Sequence, residues 1–293
     1  MGNTNLAGLI EHALGAEHIA GGLELSTAAN WNQNEADWRL FLQLGRGFGL
    51  STEDGRLVAT TMVIPFAARF AWISVVLVAN DFRRRGLATH LTLAALGAIA
   101  DSSGAPILDA TPHGREVYRR LGFADCWLLQ RLVLRAPPTV LPAAPALDGA
   151  TTIRPLVDAD WEAVERFDEP IFGAPRGAVL RSLGARRPEA AHVAERDGDI
   201  VGYILARDGR IADQLGPVCA TSPEIGIALL ASALARTRQP IFIDLPERHT
   251  ALRAWLTEAG FVVGRPFSRM ALGLSDTFDD HGKLLLSAGP ELG

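Results

Sequence analysis

Two apolar rhythms alternate along this chain. Ala71-Trp72-Ile73-Ser74-Val75-Val76-Leu77-Val78-Ala79 is a charge-free run that stops at the turn pair Asn80-Asp81, and it predicts a buried strand. Past Arg83-Arg84-Arg85-Gly86 the period changes, and Leu87, Leu91, Ala94, Ala95 and Ala98 recur at helical spacing. Ile107-Leu108-Asp109-Ala110 returns to a strand pattern and runs into Pro112. Leu6, Leu9, Ile10 and Leu14 fall near helical spacing and predict a leading helix over residues 1–20. Gly45-Arg46-Gly47-Phe48-Gly49 follows a helical pattern and precedes a strand pattern. That order is wrong for a dinucleotide loop, and the segment reads as a turn.

The pattern occurs twice. Asp37-Trp38 opens a helical stretch in the first half, and Asp160-Trp161, followed by Val164 and Phe167, opens one in the second. Asp54-Gly55 and Asp197-Gly198 each separate two apolar runs, which is a hairpin signal. Each half closes on a helix ending in Gly-Phe, at Gly122-Phe123 and at Gly260-Phe261. Similar order at similar spacing argues for a duplicated α/β unit. Between the halves, Pro137, Pro138, Pro142 and Pro145 forbid regular helix and predict an extended spacer. The expected division is a first domain over 1–135, a linker over 136–150 and a second domain over 151–293.

Composition narrows the function classes. The 293 residues are 48% hydrophobic, enough for two real cores and too many for a disordered chain. The net charge of −5 gives no global reason to coat nucleic acid or an anionic membrane. Cys126 and Cys219 supply neither a disulfide framework nor a metal site, and they fit a reducing cytoplasm. The start Met1-Gly2-Asn3-Thr4-Asn5 lacks the basic region of a signal peptide, and runs such as 91–100 are too short to span a bilayer.

The chemistry lies where the first buried strand turns into a helix. A helix start offers free N–H groups and a partial positive charge, Gly86 lets an anion approach the backbone, and Ala88 stays small. The bland reading is a solvated basic turn. A strand before and a helix after favour a phosphate site instead.

The segment Arg83-x-x-Gly86-x-Ala88 resembles the pyrophosphate loop of GNAT-superfamily acetyltransferases, Gln/Arg-x-x-Gly-x-Gly/Ala. Tyr118-Arg119-Arg120-Leu121-Gly122-Phe123 resembles that family's Tyr-x-x-Leu-Gly-Phe element. The two motifs together cover roughly residues 57–125. With its second half, the chain resembles tandem-GNAT proteins. The resemblance implies two tandem GNAT-like α/β domains, each a mixed twisted sheet flanked by helices. It also implies acetyl-CoA as co-substrate, without a metal. The pantetheine would pair along Val76, Leu77 and Val78, and the pyrophosphate would sit on the N–H groups of Arg84, Arg85, Gly86, Leu87, Ala88 and Thr89, with Arg83 beside them. Tyr118 would protonate the departing thiolate, although packing against Phe123 is its bland alternative.

No acid lies on the strand Trp72–Val78, so the general base stays open among Asp37, Asp109, His90, His113, a water relay or none. Trp31, Asn32 and Asp37 are candidates for the acceptor wall, with helix capping and core packing as their alternatives. In the second half the loop spacing is missing, and Glu224 stands where a polyanion would have to sit. No donor site is expected there. Arg154, Asp213, Gln214, Asp244 and Arg269 are its polar candidates. The expected function is transfer of an acetyl group to an amine, on a small molecule first and on a protein second, with a non-catalytic acyl-CoA sensor as the alternative. Nucleic-acid binding through Arg83–Arg85 finds no support in the charge or in aromatic interleaving. The oligomeric state is not legible.

Overall fold

The computed structural model describes residues 4–101, 104–136, 140–237 and 240–293. Pro137 and Pro138 of the expected linker lie outside the described residues, as does the start of the expected leading helix at 1–3. The chain divides into two compact units, one of residues 1–126 with 269–276 and one of residues 127–268 with 277–293. The units are therefore not contiguous halves. Residues 127–134 of the first half belong to the second unit, and 269–276 of the second half belong to the first.

The first unit begins with β1 (Leu9–Ala13), α1 (Ile19–Ala28), α2 (Glu35–Leu44), β2 (Arg46–Thr52), β3 (Leu57–Phe66) and β4 (Phe70–Val78). It continues through α3 (Leu87–Ala100), β5 (Ala105–Ala110), α4 (Pro112–Arg120) and the start of β6 (Ala124–Leu134). Strands β1 to β5 lie side by side in chain order, antiparallel except for the parallel pair β4–β5. The expected helix over 1–20 is replaced by β1, which pairs with β2 from Leu9↔Thr52 to Ala13↔Phe48. Cross-strand pairing outweighs a weak helical period there, and Ile10 stays exposed. The expected turn at Gly45–Gly49 is mostly strand: β2 starts at Arg46, and a Cβ on Gly47 or Gly49 would strike Leu14. These glycines are small because β1's continuation crosses them.

The second unit holds the rest of β6, then β7 (Thr151–Pro155), α5 (Trp161–Phe172), α6 (Gly177–Arg186), β8 (His192–Arg196), β9 (Asp199–Arg207) and β10 (Asp213–Ala220). It continues through α7 (Pro223–Leu234), β11 (Ile241–Pro246), α8 (Thr250–Glu258), most of β12 (Val262–Ala271), and β13 (Leu284–Leu286). Strands β7 to β11 repeat the first unit's arrangement, again with one parallel pair, β10–β11. The Asp197-Gly198 hairpin turn forms as expected, with φ of +53° and +89°. The spacer lies along this unit: Leu141 and Leu147 pack on its core, and the Trp255 indole donates to the Ala143 carbonyl at 3.2 Å.

Candidate active site

In the first unit β4 and β5 begin together and then part. Their parallel pairing runs from Phe70↔Ala105 to Trp72↔Ile107, and β5 ends at Ala110. Two residues further along β4 the strand bulges. Met62 faces Ser74 but Thr60 faces Leu77, so Val75 and Val76 together oppose Thr61. Val75 takes φ +44°, a strained conformation for a β-branched residue, and the Thr60 hydroxyl holds its carbonyl at 2.8 Å. Past Trp72 the edge of β4 facing β5 thus carries Val76, Leu77 and Val78 without a β5 partner, as an added extended chain requires.

The loop after β4 places the arginines and glycine. Arg84 at φ +63° and Gly86 at φ +82° are both left-handed, which turns successive N–H groups toward one side. Gly86 is also the residue before α3, and no side chain among the described residues caps that helix start. The N–H groups of Leu87, Ala88 and Thr89 are the ones left to meet an anion. Arg83 and Arg84 are exposed, as phosphate partners must be. Arg85 is committed elsewhere: its guanidinium donates to the carbonyls of Asn5 and Ala7 and stacks 5.1 Å from the Phe82 ring. Thr4 lies against Gly86, so the segment 4–7 runs beside the loop.

The two faces of this sheet differ in chemistry. Val63, Ile73, Leu108, Ala110 and Met270 share one apolar cluster with Ala95 and Ile99 of α3 and with Tyr118 of α4. The Tyr118 ring packs edge-on against Phe123, and burial alone pushes its phenol well above the ordinary tyrosine range. Side chains alternate along strands, so Trp72, Ser74, Asp109 and Arg269 face the other way. There Arg269 grips Asp109 with two hydrogen bonds of 2.9 and 2.8 Å and stacks 4.6 Å from the Trp72 ring.

That ion pair answers one open question. The Asp109 side chain is buried and bound by both oxygens to a guanidinium, which leaves it a structural task. The second unit repeats it: Asp244 receives 2.9 and 2.7 Å hydrogen bonds from Arg131, and Gln214 adds a third. The parallel pairings Trp72↔Ile107 and Gln214↔Phe242 put Asp109 and Asp244 at the same register. A pair present in both units belongs to the architecture. Arg269 thus serves the first unit, although its sequence lies in the second half. Arg154 pairs with Asp160 and Glu195, and Asp213 with Arg187. His90 meets Glu11 at 2.7 Å, and His113 is exposed on α4.

Of the expected acceptor wall, Asp37 caps α2 in a reciprocal box with Asn34, its carboxylate taking the Asn34 N–H at 3.0 Å. Asn32 and Gln33 are buried just before that helix, and the Trp31 N–H donates to the Ser26 carbonyl at 2.9 Å.

The second unit has the same parting of strands with different contents. β10 and β11 pair only at Asp213↔Ile241 and Gln214↔Phe242. Beyond that point β13 lies antiparallel on β10, with Val218↔Leu286 and Cys219↔Leu284, and the Ser287 N–H reaches the Asp244 carbonyl on β11 at 3.1 Å. The edge left open on β4 is here filled by the chain's own strand. The start of α7 is closed as well: the Ser222 hydroxyl accepts the Ile225 N–H, and the Glu224 carboxyl, held below its usual range by Ser222, stands in the first turn.

Comparison with known proteins decides the family. The acetyltransferase (GNAT) family pattern matches residues 17–123, and an acetyltransferase (GNAT) domain pattern matches residues 164–285. The chain belongs to the GNAT acetyltransferases, with the fold carried twice. Like other members it is an acyltransferase. It is 27% identical to the uncharacterized N-acetyltransferase YitH of Bacillus subtilis over 84% of this chain and 85% of that protein. It is 25% identical to the holothin acyltransferase of a Pseudoalteromonas species, over 92% and 90% of the two chains. A solved structure from Pyrococcus horikoshii shares the fold with a TM-score of 0.75 at 20% identity, covering 100% of this chain and 99% of that one. Among the described residues of this GNAT chain, no helix is long and apolar enough to cross a membrane.

Sequence reasoning missed three features of the GNAT unit. The Arg269 strand is contributed from 160 positions away, the bulge at Val75 leaves no mark in an unbroken apolar run, and β13 is a short apolar triplet beyond any repeat. The matching of Asp109 to Asp244 was the one available signal, and it needs the strand register to be seen.

Proposed function

We propose that the first unit takes acetyl-CoA and transfers its acetyl group to a primary amine of a small molecule. The observation that carries this reading is the contrast between the two units: β4 keeps an open edge beside a left-handed, uncapped loop, while β10 is covered by β13. Val76 to Val78 would hold the pantetheine, the N–H groups from Arg84 to Thr89 the diphosphate, and Arg83 and Arg84 its outer charges. Tyr118 is buried and stays protonated, so it offers a hydrogen bond to the departing thiolate. A free thiol titrates near 8.5, below this phenol, so the proton rests on the tyrosine and full protonation of the sulfur is left to water. Trp31 and Asn32 precede the capped α2 and are assigned to the acceptor side; Asp37 serves through the cap. The small-molecule acceptor draws support from the holothin acyltransferase, whose name states a small-molecule substrate. The reading includes a reducing, cytoplasmic setting and neither a nucleic-acid nor a membrane partner, in line with the net charge of −5.

The test is thiol release from acetyl-CoA in the presence of alkylamines, arylamines, amino sugars and a lysine peptide. Turnover with a small amine is expected. Turnover with the peptide alone, or with no amine, would overturn the reading.

A further inference from the structure

Ser74 lies on β4 two residues beyond its last pairing with β5, and the next residue is the strained Val75. It is 4% exposed, and its hydroxyl has no hydrogen-bond partner among the described residues. A buried hydroxyl without a partner is costly, and proteins rarely keep one without a use. It faces away from the α3–α4 cluster, on the same side as Trp72 and the Asp109–Arg269 pair.

The second unit shows what fills this place. By register the counterpart of Ser74 is Gly216, two residues past the pairing at Gln214↔Phe242. A Cβ on Gly216 would collide with the Ser287 carbonyl, part of the segment that follows β13 into the gap between β10 and β11. The second unit thus closes with its own backbone the space into which a side chain at this register projects. The first unit keeps a hydroxyl there instead.

We propose that the Ser74 hydroxyl is the acceptor-binding group of the first unit, taking a hydrogen bond from the amine nitrogen and holding its lone pair toward the thioester. The inference rests on the acyl-transfer reading above. The donor runs along Val76–Val78 from the loop toward the bulge, so its thioester ends near Ser74. The amine approaches from the face opposite α3. Its lone pair forms the N–C bond, the C–S electrons leave on sulfur, and the extra proton on nitrogen passes to water. Ser74 accepts a hydrogen bond throughout and needs no charge, which suits a strand without an acid. The acceptor class is a neutral primary amine small enough to reach a buried hydroxyl.

The test is Ser74→Ala, with Ser74→Thr as the conservative variant and Thr61→Val as control. Thr61 carries the other unpartnered buried hydroxyl beside the bulge. Hydroxylamine, n-butylamine and tyramine serve as probes with acetyl-CoA. Because the Ser74 hydroxyl has no hydrogen-bond partner among the described residues, Ser74→Ala should melt no lower than the parent and bind acetyl-CoA unchanged. Its kcat/KM for the amine should fall about tenfold, the scale of one lost hydrogen bond. Ser74→Thr should restore most of it, and Thr61→Val should not lower it. Full kcat/KM in Ser74→Ala overturns the proposal, as does an equal loss in Thr61→Val or a loss that tracks a lower Tm. If the parent itself transfers to no probe while binding acetyl-CoA, the acyl-transfer reading falls and this proposal with it.

Discussion

Single residues divide here into those whose chemistry is spent inside the fold and those left with something to offer. Asp109 has both oxygens on Arg269, and Asp37 has its carboxylate on a helix start. Tyr118 keeps its proton because burial disfavours the phenolate. A folded-state value above the unfolded one means that the neutral form stabilises the fold below the ordinary tyrosine range, and that this contribution is lost only as pH rises through the folded value. Tyr118 therefore sets no limb of the activity profile between pH 6 and 9. Tyr118→Phe should lower kcat by about tenfold to a hundredfold, the worth of one hydrogen bond to a developing thiolate, with the Kd for acetyl-CoA unchanged. Full turnover in single-turnover kinetics would make Tyr118 a packing partner of Phe123 alone. Tyr118 and the arginine loop were legible because their signals lie within a few adjacent residues. The ion pair of Asp109 and the unpartnered hydroxyl of Ser74 were not, since one depends on a strand 160 residues away and the other on a bulge.

At the level of elements, the strand–loop–helix from β4 to α3 was read correctly in kind, and one reason behind it has changed. The sequence suggested that Gly86 is small so that a phosphate can approach. The structure shows that it is left-handed, and that a Cβ would meet Thr4 at 3.1 Å. Conformation is the requirement, so substitutions should sort by tolerance of positive φ. Gly86→Asn should keep acetyl-CoA affinity within a few-fold, while Gly86→Val should lose about tenfold or more, given a left-handed cost of about 1–2 kcal/mol. Calorimetry on both variants checks this, and equal losses would restore the approach argument. The element misread altogether was β1, where Leu6, Leu9, Ile10 and Leu14 carry too little period to announce the neighbour that pairs with them.

Over the whole molecule, the duplication was legible from paired Asp-Trp, Asp-Gly and Gly-Phe signals, but the exchange of segments was not, because both copies of a duplicated strand carry similar patterns. The two units should bind unequally. Titration with acetyl-CoA should saturate at about one molecule per chain, because β13 covers in the second unit the edge that stays open in the first. Saturation at two would mean that β13 yields to the ligand. The exchange also bears on how such a gene can change. Asp109 with Arg269, and Arg131 with Asp244, each place one partner before the proline-rich stretch and one after it. A recombination event at that stretch, the obvious seam in the sequence, would hand every descendant two mixed carboxylate–guanidinium pairs at once. Each half therefore carries a carboxylate and a guanidinium whose ion-pair partners lie in the other, so a change at either end of a pair is felt across the seam.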